Sequence, residues 1–360
     1  MKNITVIGAG NSGLATSGYL AMNGFSVRLW NRSHKTIKKL IRTKTIKVDG
    51  VVQGEAKLEI VTTDINQAIE NTDLIMVTTP ANSHVDIANI LKDHIVSDIP
   101  IILNPGRTFG SLVFGNTLRE SNSPLPIIAE TQTIVFTCRK IAEDASYILA
   151  VKNDVLISTL EKSDLNILMT ALPLCLNKYF KPTSSMISTS IGNVGMILHC
   201  TPVLLNAGWI EYKNANFKYY YNGITKSIAH FLQHLDNERI EVSNKLGSPV
   251  ESLTGWLKRS YGVGGKNIYE CIQNVKSYAT IDAPKTLHHR YIFEDIPCGL
   301  VPLESIGKKF GLSMKYTEII INLASMLLDT DFREIGRNLN NLGLSKLSND
   351  ELLNLLNRSI

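Results

Sequence analysis

The sequence predicts a doubly wound α/β domain with a mostly parallel sheet, followed by an all-α domain. Three observations predict it. Short apolar runs alternate with helix-like stretches through the first half of the 360-residue chain. A glycine-rich turn, Gly8-Ala9-Gly10-Asn11-Ser12-Gly13, lies between the first apolar run and the first helix-like stretch. Past residue 182 only helical periodicity remains. With 44% apolar residues the chain is long for a single core, so two domains are expected, 1–182 and 183–360, divided in the Pro182-Thr183-Ser184-Ser185 stretch.

The elements follow in order. Strands are expected at Ile4–Ala9, Ser26–Trp30, Leu74–Thr79, Ile99–Leu103 and Ile127–Ala129, the third ended by Pro80 and the fourth by Asn104-Pro105-Gly106. Helices fit between them, at Asn11–Asn23 and Ser83–Lys92 for example. Such alternation implies right-handed βαβ units and a parallel sheet. In the second half Ile228, Phe231, Leu232 and Leu235 fall at i, i+3, i+4 and i+7, one face of a helix that can run to Gly247. Ser348 precedes Glu351 by three residues, just ahead of paired leucines. That is a capping box opening a last helix.

Composition excludes several classes. A formal charge of +5 spread over this length is a mild bias. It suits anionic substrates or a phosphorylated cofactor and does not argue for nucleic acid. Five scattered cysteines without a CxxC pair read as free thiols in a reducing compartment. The N-terminus opens directly into a strand pattern, and no apolar run reaches the length of a membrane span. A cytoplasmic protein, not membrane-bound, is expected.

The glycine-rich turn matches GxGxxG in the strand–turn–helix context that gives this motif meaning, and points to a Rossmann dinucleotide site. Gly8 permits the tight turn, Gly10 lets the backbone approach a pyrophosphate, and Gly13 lets helix and strand pack closely. Asn11 and Ser12 complete the cradle at the helix N-terminus, whose N–H groups and dipole favour phosphate. Thr79 and Pro80, at the end of another strand, are expected to line the dinucleotide. The second strand ends Trp30-Asn31-Arg32-Ser33, without the acid that binds the ribose 2′-OH in NAD sites. Arg32 can pair with a 2′-phosphate, with Asn31 and Ser33 adding hydrogen bonds. NADP(H) is therefore favoured over NAD(H), against the plainer reading of Arg32 as a solvated loop cation.

Several short segments then resemble one family, the octopine/nopaline (opine) dehydrogenases. Asn104-Pro105-Gly106-Arg107-Thr108 resembles its PGRT loop, and Glu130-Thr131-Gln132-Thr133 with Cys138-Arg139 its ETQT…CR segment. Leu204-Leu205-Asn206-Ala207-Gly208 with Ile210-Glu211, and Asp236 with Glu238-Arg239, resemble two more. Arg290-Tyr291, Glu294-Asp295, Pro297 and Gly299-Leu300-Val301-Pro302 resemble its RY..ED.P.GLVP stretch. The resemblance spans nearly the whole chain in family order. It implies a Rossmann domain plus a helical substrate domain. The implied reaction is a reversible NAD(P)H-dependent condensation of an amino acid's amino group with a 2-oxo acid, pyruvate by default. The product is an N-(carboxyalkyl) amino acid.

The resemblance also assigns residues. His199 lies in a segment similar to the one leading to the family's catalytic histidine. As plain sequence, a lone histidine in an apolar stretch is ordinarily a core residue. An imidazole can both give and take a proton near neutral pH. Asp295, with Glu294 as rival, is expected to accept the other imidazole N–H. Arg290 is expected to clamp a substrate carboxylate with its two-pronged guanidinium. Gln132 and Thr133 are expected at substrate or nicotinamide. Asn193 is also expected at the substrate, or with Asn206 in ordering the loop around His199. Arg107 and Thr108 suit phosphate or oxo acid equally. The family often has Asn-Pro where this chain has Gly195-Met196, which puts the loop geometry in question. No metal is expected: His230 and His234 are four apart on a helix, without a third ligand. Trp256 and Tyr261 suit an amino acid pocket or simple helix packing. Family members differ in assembly, so a homodimer is one possible state.

Two other functions fit parts of the pattern. A ketopantoate-type 2-oxo acid reductase would share the architecture and use a helical-domain lysine. Lys226 and Lys245 stand in no such context. A non-catalytic NADP(H) sensor would leave a His199–Asp295 pair unexplained.

Overall fold

The five apolar runs expected as strands are strands, with ends trimmed or shifted by a residue or two except at Ser26–Trp30, and seven further strands join them among the described residues. The computed structural model describes residues 2–95, 99–121 and 124–357. In chain order the strands are β1 (Asn3–Ile7), β2 (Ser26–Trp30), β3 (Thr45–Gly50), β4 (Gly54–Lys57), β5 (Ile60–Thr62) and β6 (Leu74–Val77), then β7 (Ile101–Leu103), β8 (Ile128–Thr131), β9 (Phe136–Ala142), β10 (Ala145–Val151), β11 (Val155–Thr159) and β12 (Phe180–Pro182).

Eight of them form one sheet in the order β12-β11-β8-β7-β6-β1-β2-β5. Every pairing in it is parallel except β8 with β11. β1 pairs with β2 on one side and β6 on the other. The chain reverses its direction of travel across the sheet there, the switch point at which such folds bind ligands. A second sheet, β4-β3-β10-β9, was not expected. Its signal was weak but present: Thr45-Ile46-Lys47-Val48-Asp49 alternates, and Ile46 and Val48 are the buried positions. Helix α1 (Asn11–Met22) packs tightly there, since a Cβ on Gly18 would lie 2.5 Å from Val48 Cγ2.

The chain divides into two compact units. The first takes the chain up to Gly106 and then Gly110–Ser184, and holds both sheets. The second takes Arg107–Phe109 and the chain from Ser185 on. In the second unit the helix Lys226–Lys245 buries Leu232 and Leu235 of the expected stripe together with Ala229 and Val242, while Ile228 and Phe231 are only half-buried. The same helix buries Asp236 and Arg239 as a pair at 2.7 Å. Arg239 also donates to Ile191 O and Glu251 O, and Asp236 accepts from Leu253 N. Glu238 accepts from Tyr316 N, Thr317 N and Thr317 Oγ1. The three polar residues of that motif are thus structural staples, each buried charge satisfied by hydrogen bonds. The capping box forms as expected: Ser348 N donates to Glu351 Oε2, and Glu351 N to Ser348 Oγ.

One expectation about apolar runs needs correcting. Among the described residues, Met186–Leu205 is a helical stretch long and apolar enough to cross a membrane. Its apolar window is 83% buried within the protein, as a core helix would be.

Candidate active site

In the first unit the glycine-rich turn follows β1, and the hydrogen bond Gly8 N–Trp30 O (2.8 Å) ties it to the end of β2. Gly8 sits at φ +106°, where a side chain is strained, and a Cβ on Gly13 would overlap Gly8 O at 1.7 Å. Gly10 differs: a Cβ there would meet nothing within 4 Å. α1 has no acid in its first turn and no side-chain cap, so its first N–H groups have no intrahelical partners. Thr79 Oγ1 is buried without a hydrogen-bond partner. Open space at Gly10, uncapped donors and an orphan hydroxyl fit a dinucleotide phosphate.

Two predicted cofactor side chains prove to be engaged within the protein. Asn31 Oδ1 accepts from Ala9 N at 3.0 Å while its Nδ2 donates to Ser33 O. Asn11 Oδ1 accepts from Lys140 N at 2.7 Å. Both shape the turn, leaving Asn11 its backbone N–H for a ligand. Arg32 forms a 3.4 Å pair with Asp86, and both side chains are mostly in solvent. Such a pair holds its partners weakly. Gln132 and Thr133 follow β8 in the first unit, and Gln132 is buried.

In the second unit His199 lies at the joint between the short helices Gly195–Leu198 and Cys200–Leu205, with φ −100° and ψ −65°. The Tyr219 hydroxyl donates to Leu198 O and His199 O at that joint. The imidazole stacks on Tyr291 at 4.3 Å between centroids, and its Nδ1 lies 2.8 Å from Asp295 Oδ2. Asp295 is acceptor-only when ionised, so Nδ1 carries the proton. Nε2 then presents a lone pair, from a side chain 18% exposed.

Asp295 is fully buried, and its other oxygen lies 3.0 Å from Arg107 Nη1. Arg107 Nε donates to Glu294 Oε1 at 3.1 Å, and Nη1 donates to Asn193 Oδ1 at 3.2 Å. This corrects the expectation that Arg107 meets phosphate or oxo acid: its guanidinium is buried against two carboxylates. Arg107 and Phe109 hold positive φ values of 60° and 56°, a conformation costing roughly 1–2 kcal/mol per residue. Asn193 likewise serves the loop, since Oδ1 also accepts from Gly195 N at 2.7 Å. The Gly195-Met196 departure has a visible counterpart, because a Cβ on Gly195 would lie 2.1 Å from Arg107 Nη1.

The structure brings His199, Asp295, Glu294 and Arg290 into one cluster and separates the two acidic rivals by role. Asp295 takes the imidazole. Glu294 takes Arg107 and, at 3.4 Å, the Nε of Arg290. Arg290 and Asp295 reach the same cluster through a short helix, Arg290–Phe293, followed by a π-helical turn at Ile296–Leu300. The Arg290 side chain stays 45% exposed. Burial pushes the His199 imidazole below its usual value. Asp295 pulls it up, while Arg107 and Arg290 push it down. Burial opposes the charge on Arg107, but Asp295 and Glu294 more than restore it. Glu294 raises Arg290 against its own burial.

Other candidates fall outside the cluster. Trp256 and Tyr261 meet edge to face at 5.7 Å, and Trp256 is buried, so this is packing. Asn206 Nδ2 donates to Pro202 O and Gly223 O. Sequence reasoning gave no role to Tyr291, whose place directly after Arg290 was the only signal. It also gave none to Tyr219, which had no signal.

Comparison with known proteins identifies the family. The family described as NAD/NADP octopine/nopaline dehydrogenase, alpha-helical domain, matches residues 182–328. An NAD-dependent glycerol-3-phosphate dehydrogenase N-terminus family matches residues 3–104. An opine dehydrogenase from Arthrobacter sp. (strain 1C) is 35% identical over 348 residues, 96% of each chain. The chain belongs to the opine dehydrogenase family. It is an NAD(P)-dependent oxidoreductase acting on CH–NH bonds, with a Rossmann-like domain and a helical octopine dehydrogenase domain. The protein ocs of Agrobacterium tumefaciens (strain Ach5) is 25% identical over 99% of both chains. The fold matches an octopine dehydrogenase solved with NADH and L-arginine at TM-score 0.77 and 18% identity, covering 99% of this chain and 98% of that one. It also matches an NADP+-bound yersinopine dehydrogenase at TM-score 0.74 and 12% identity, covering 100% and 98%.

Proposed function

We propose that this opine dehydrogenase condenses the amino group of an amino acid with a 2-oxo acid, pyruvate by default, and reduces the resulting imine with NADP(H). The observation that carries the reading is the imidazole of His199, held by buried Asp295 in one cluster with the part-exposed side chain of Arg290. Pyruvate appears with the related octopine dehydrogenase, as do L-arginine and agmatine.

Arg290 grips the oxo acid carboxylate with two parallel hydrogen bonds, placing its carbonyl carbon at Nε2 of His199. As the amine adds to that carbon, Nε2 takes a proton from the nitrogen. It returns the proton to the oxygen, and a second transfer, of the nitrogen's remaining proton by the same route, lets that oxygen leave as water as the C=N bond forms. Asp295 stabilises the imidazolium in between. The four charges of Arg107, Arg290, Glu294 and Asp295 cancel, so a bound carboxylate leaves the cluster negative and raises the proton affinity of His199. The imidazole thereby becomes a better base once substrate is present. Gly8, Gly10, Gly13 and the first N–H groups of α1 hold the pyrophosphate. Thr79 and Pro80 line the dinucleotide, and Gln132 and Thr133 contact nicotinamide or substrate. When bound, the reduced nicotinamide supplies the hydride that the imine carbon accepts. Preference for NADP(H) follows from the acid-free end of β2, where Arg32 and Ser33 stand.

The test is a matrix of amino acids against 2-oxo acids, read as NADPH and NADH consumption. Oxidation that requires both an amine and an oxo acid supports the reading. Oxidation by an oxo acid alone, indifferent to amine, would replace it with a 2-oxo acid reductase.

A further inference from the structure

Lys140 stands on β9, far in sequence from the glycine-rich turn, yet its side chain reaches that turn. Nζ donates to Ala9 O at 3.2 Å and to Thr36 O at 3.4 Å. Ala9 lies between Gly8 and Gly10. Thr36 lies in the first turn of α2 (His34–Thr43), the helix that follows β2. The backbone N–H of Lys140 donates to Asn11 Oδ1, which docks the strand on the turn and fixes where the side chain goes.

The ammonium is half-buried and held by two neutral carbonyls, with no carboxylate at ion-pair distance among the described residues. Its acidic neighbours are occupied with Lys39. Glu143 Oε2 accepts from Lys39 N at 2.9 Å, and Asp144 pairs with Lys39 Nζ at 2.7 Å. Burial lowers the proton affinity of Lys140, and Glu143 only partly offsets it. A partly desolvated cation without a counter-ion marks a place where an anion would be stabilised. Both carbonyls belong to residues tied to the end of β2. Thr36 follows β2, and Ala9 N donates to Asn31 Oδ1 at the end of β2. In doubly wound folds the adenosine ribose 2′ position meets the end of the second strand, whereas the pyrophosphate meets the N-terminus of the first helix. The segment Asn31-Arg32-Ser33-His34-Lys35 contains no acid, and α2 opens without an acid or a side-chain cap.

We propose that Lys140 is a cofactor-specificity residue whose ammonium pairs with the 2′-phosphate of NADP(H), jointly with the Arg32–Ser33 segment. The inference rests on the NADP(H) preference proposed above and adds a cation from a different part of the chain. NADH would leave the ammonium on its two carbonyls.

The experiment measures cofactor binding without substrates. Wild type, Lys140→Met, Lys140→Gln and Lys140→Arg are titrated with NADPH, NADH and adenosine 2′,5′-bisphosphate by calorimetry. The two neutral variants should bind NADPH and the bisphosphate about 10-fold to 100-fold more weakly, the range of a charge-assisted hydrogen bond to phosphate. NADH affinity should change by less than about threefold. Lys140→Arg should keep the NADPH/NADH ratio within about threefold of wild type, and it reads the charge if a neutral variant fails to fold. Equal weakening of both cofactors would make Lys140 a strap between Ala9 and Thr36 and overturn the proposal, as would unchanged NADPH binding. A wild-type protein that binds NADH as tightly as NADPH would sink the cofactor preference itself, a result visible before any substitution.

Discussion

Replacing Arg107 with Met tests the charge balance of the cluster directly. The guanidinium is 7% exposed and faces Glu294, 3% exposed, and Asp295, fully buried. Methionine fills much of its volume and removes the charge, so two carboxylates are left in the interior with Arg290 and His199 as remaining partners. Removing one member of a buried pair costs about 3–5 kcal/mol, because the partner charge stays desolvated. For a domain of this size about 2–4 °C of Tm accompanies each kcal/mol, so Tm should fall by about 6–20 °C. Proton affinity gives a second readout. Arg107 pushes His199 down and Asp295 pulls it up, so the variant imidazole should hold its proton to higher pH. The acidic limb of the kcat/KM profile should move upward. Arg107→Lys, which keeps the charge but not the fork, should fall between. Differential scanning calorimetry and a pH series of amine-dependent NADPH oxidation measure both. A Tm loss below about 2 °C with an unmoved acidic limb would refute the reasoning, since the carboxylates would then be balanced by something else.

Other outcomes follow from the same geometry. His199→Ala should lower kcat by about 10²–10⁴, the usual weight of a positioned acid–base group, while calorimetry finds NADPH binding unchanged; turnover at the wild-type rate would remove His199 from the mechanism. Arg290→Gln should raise KM for the oxo acid far more than for the amino acid, since it removes one carboxylate clamp; a matching rise for both substrates would contradict that. Gly13→Ala places a methyl group against Gly8 O, so cofactor binding should be lost while kinetics with residual bound cofactor are moot; equilibrium dialysis showing wild-type affinity would argue against the turn as the phosphate cradle. His199 is depressed by burial, so the unfolded chain protonates it more readily than the folded one. Its contribution to stability is full above about pH 6.5 and is lost as pH falls through its lower folded value. Tm should therefore fall less steeply with acid in His199→Gln than in wild type, and parallel curves would discount the shift.

Much of the parallel sheet was legible because buried strands read as continuous apolar runs: Ile4, Val6 and Ile7 in β1, or Leu74 to Val77 in β6, are buried on both faces. The second sheet was not, because β3 and β9 mix charges into short alternating runs that resemble loop. At the site, His199, Asp295 and Arg290 were found through resemblance, since no local pattern joins residues 96 positions apart. The role of Arg107 was out of reach for a related reason. Its partners Glu294 and Asp295 are 187 and 188 positions away, and a loop arginine reads as a ligand contact unless its burial is known. Asn31 and Asn11 were read as ligand contacts and proved to be braces for the turn, a distinction that only hydrogen-bond geometry makes.

The helical half borrows three residues from the middle of the other half. Thr108 N donates to Cys298 O, Phe109 N to Ser190 Oγ, and Arg337 Nη1 to Thr108 O, with Arg107 against the carboxylate that holds His199. A fragment beginning near residue 183 would be born without its own neutralising cation. Modular exchange of the helical half between relatives must therefore carry a splice at two points, and a gene cut once between the halves should yield a C-terminal product lacking one of the cations that act on its own histidine.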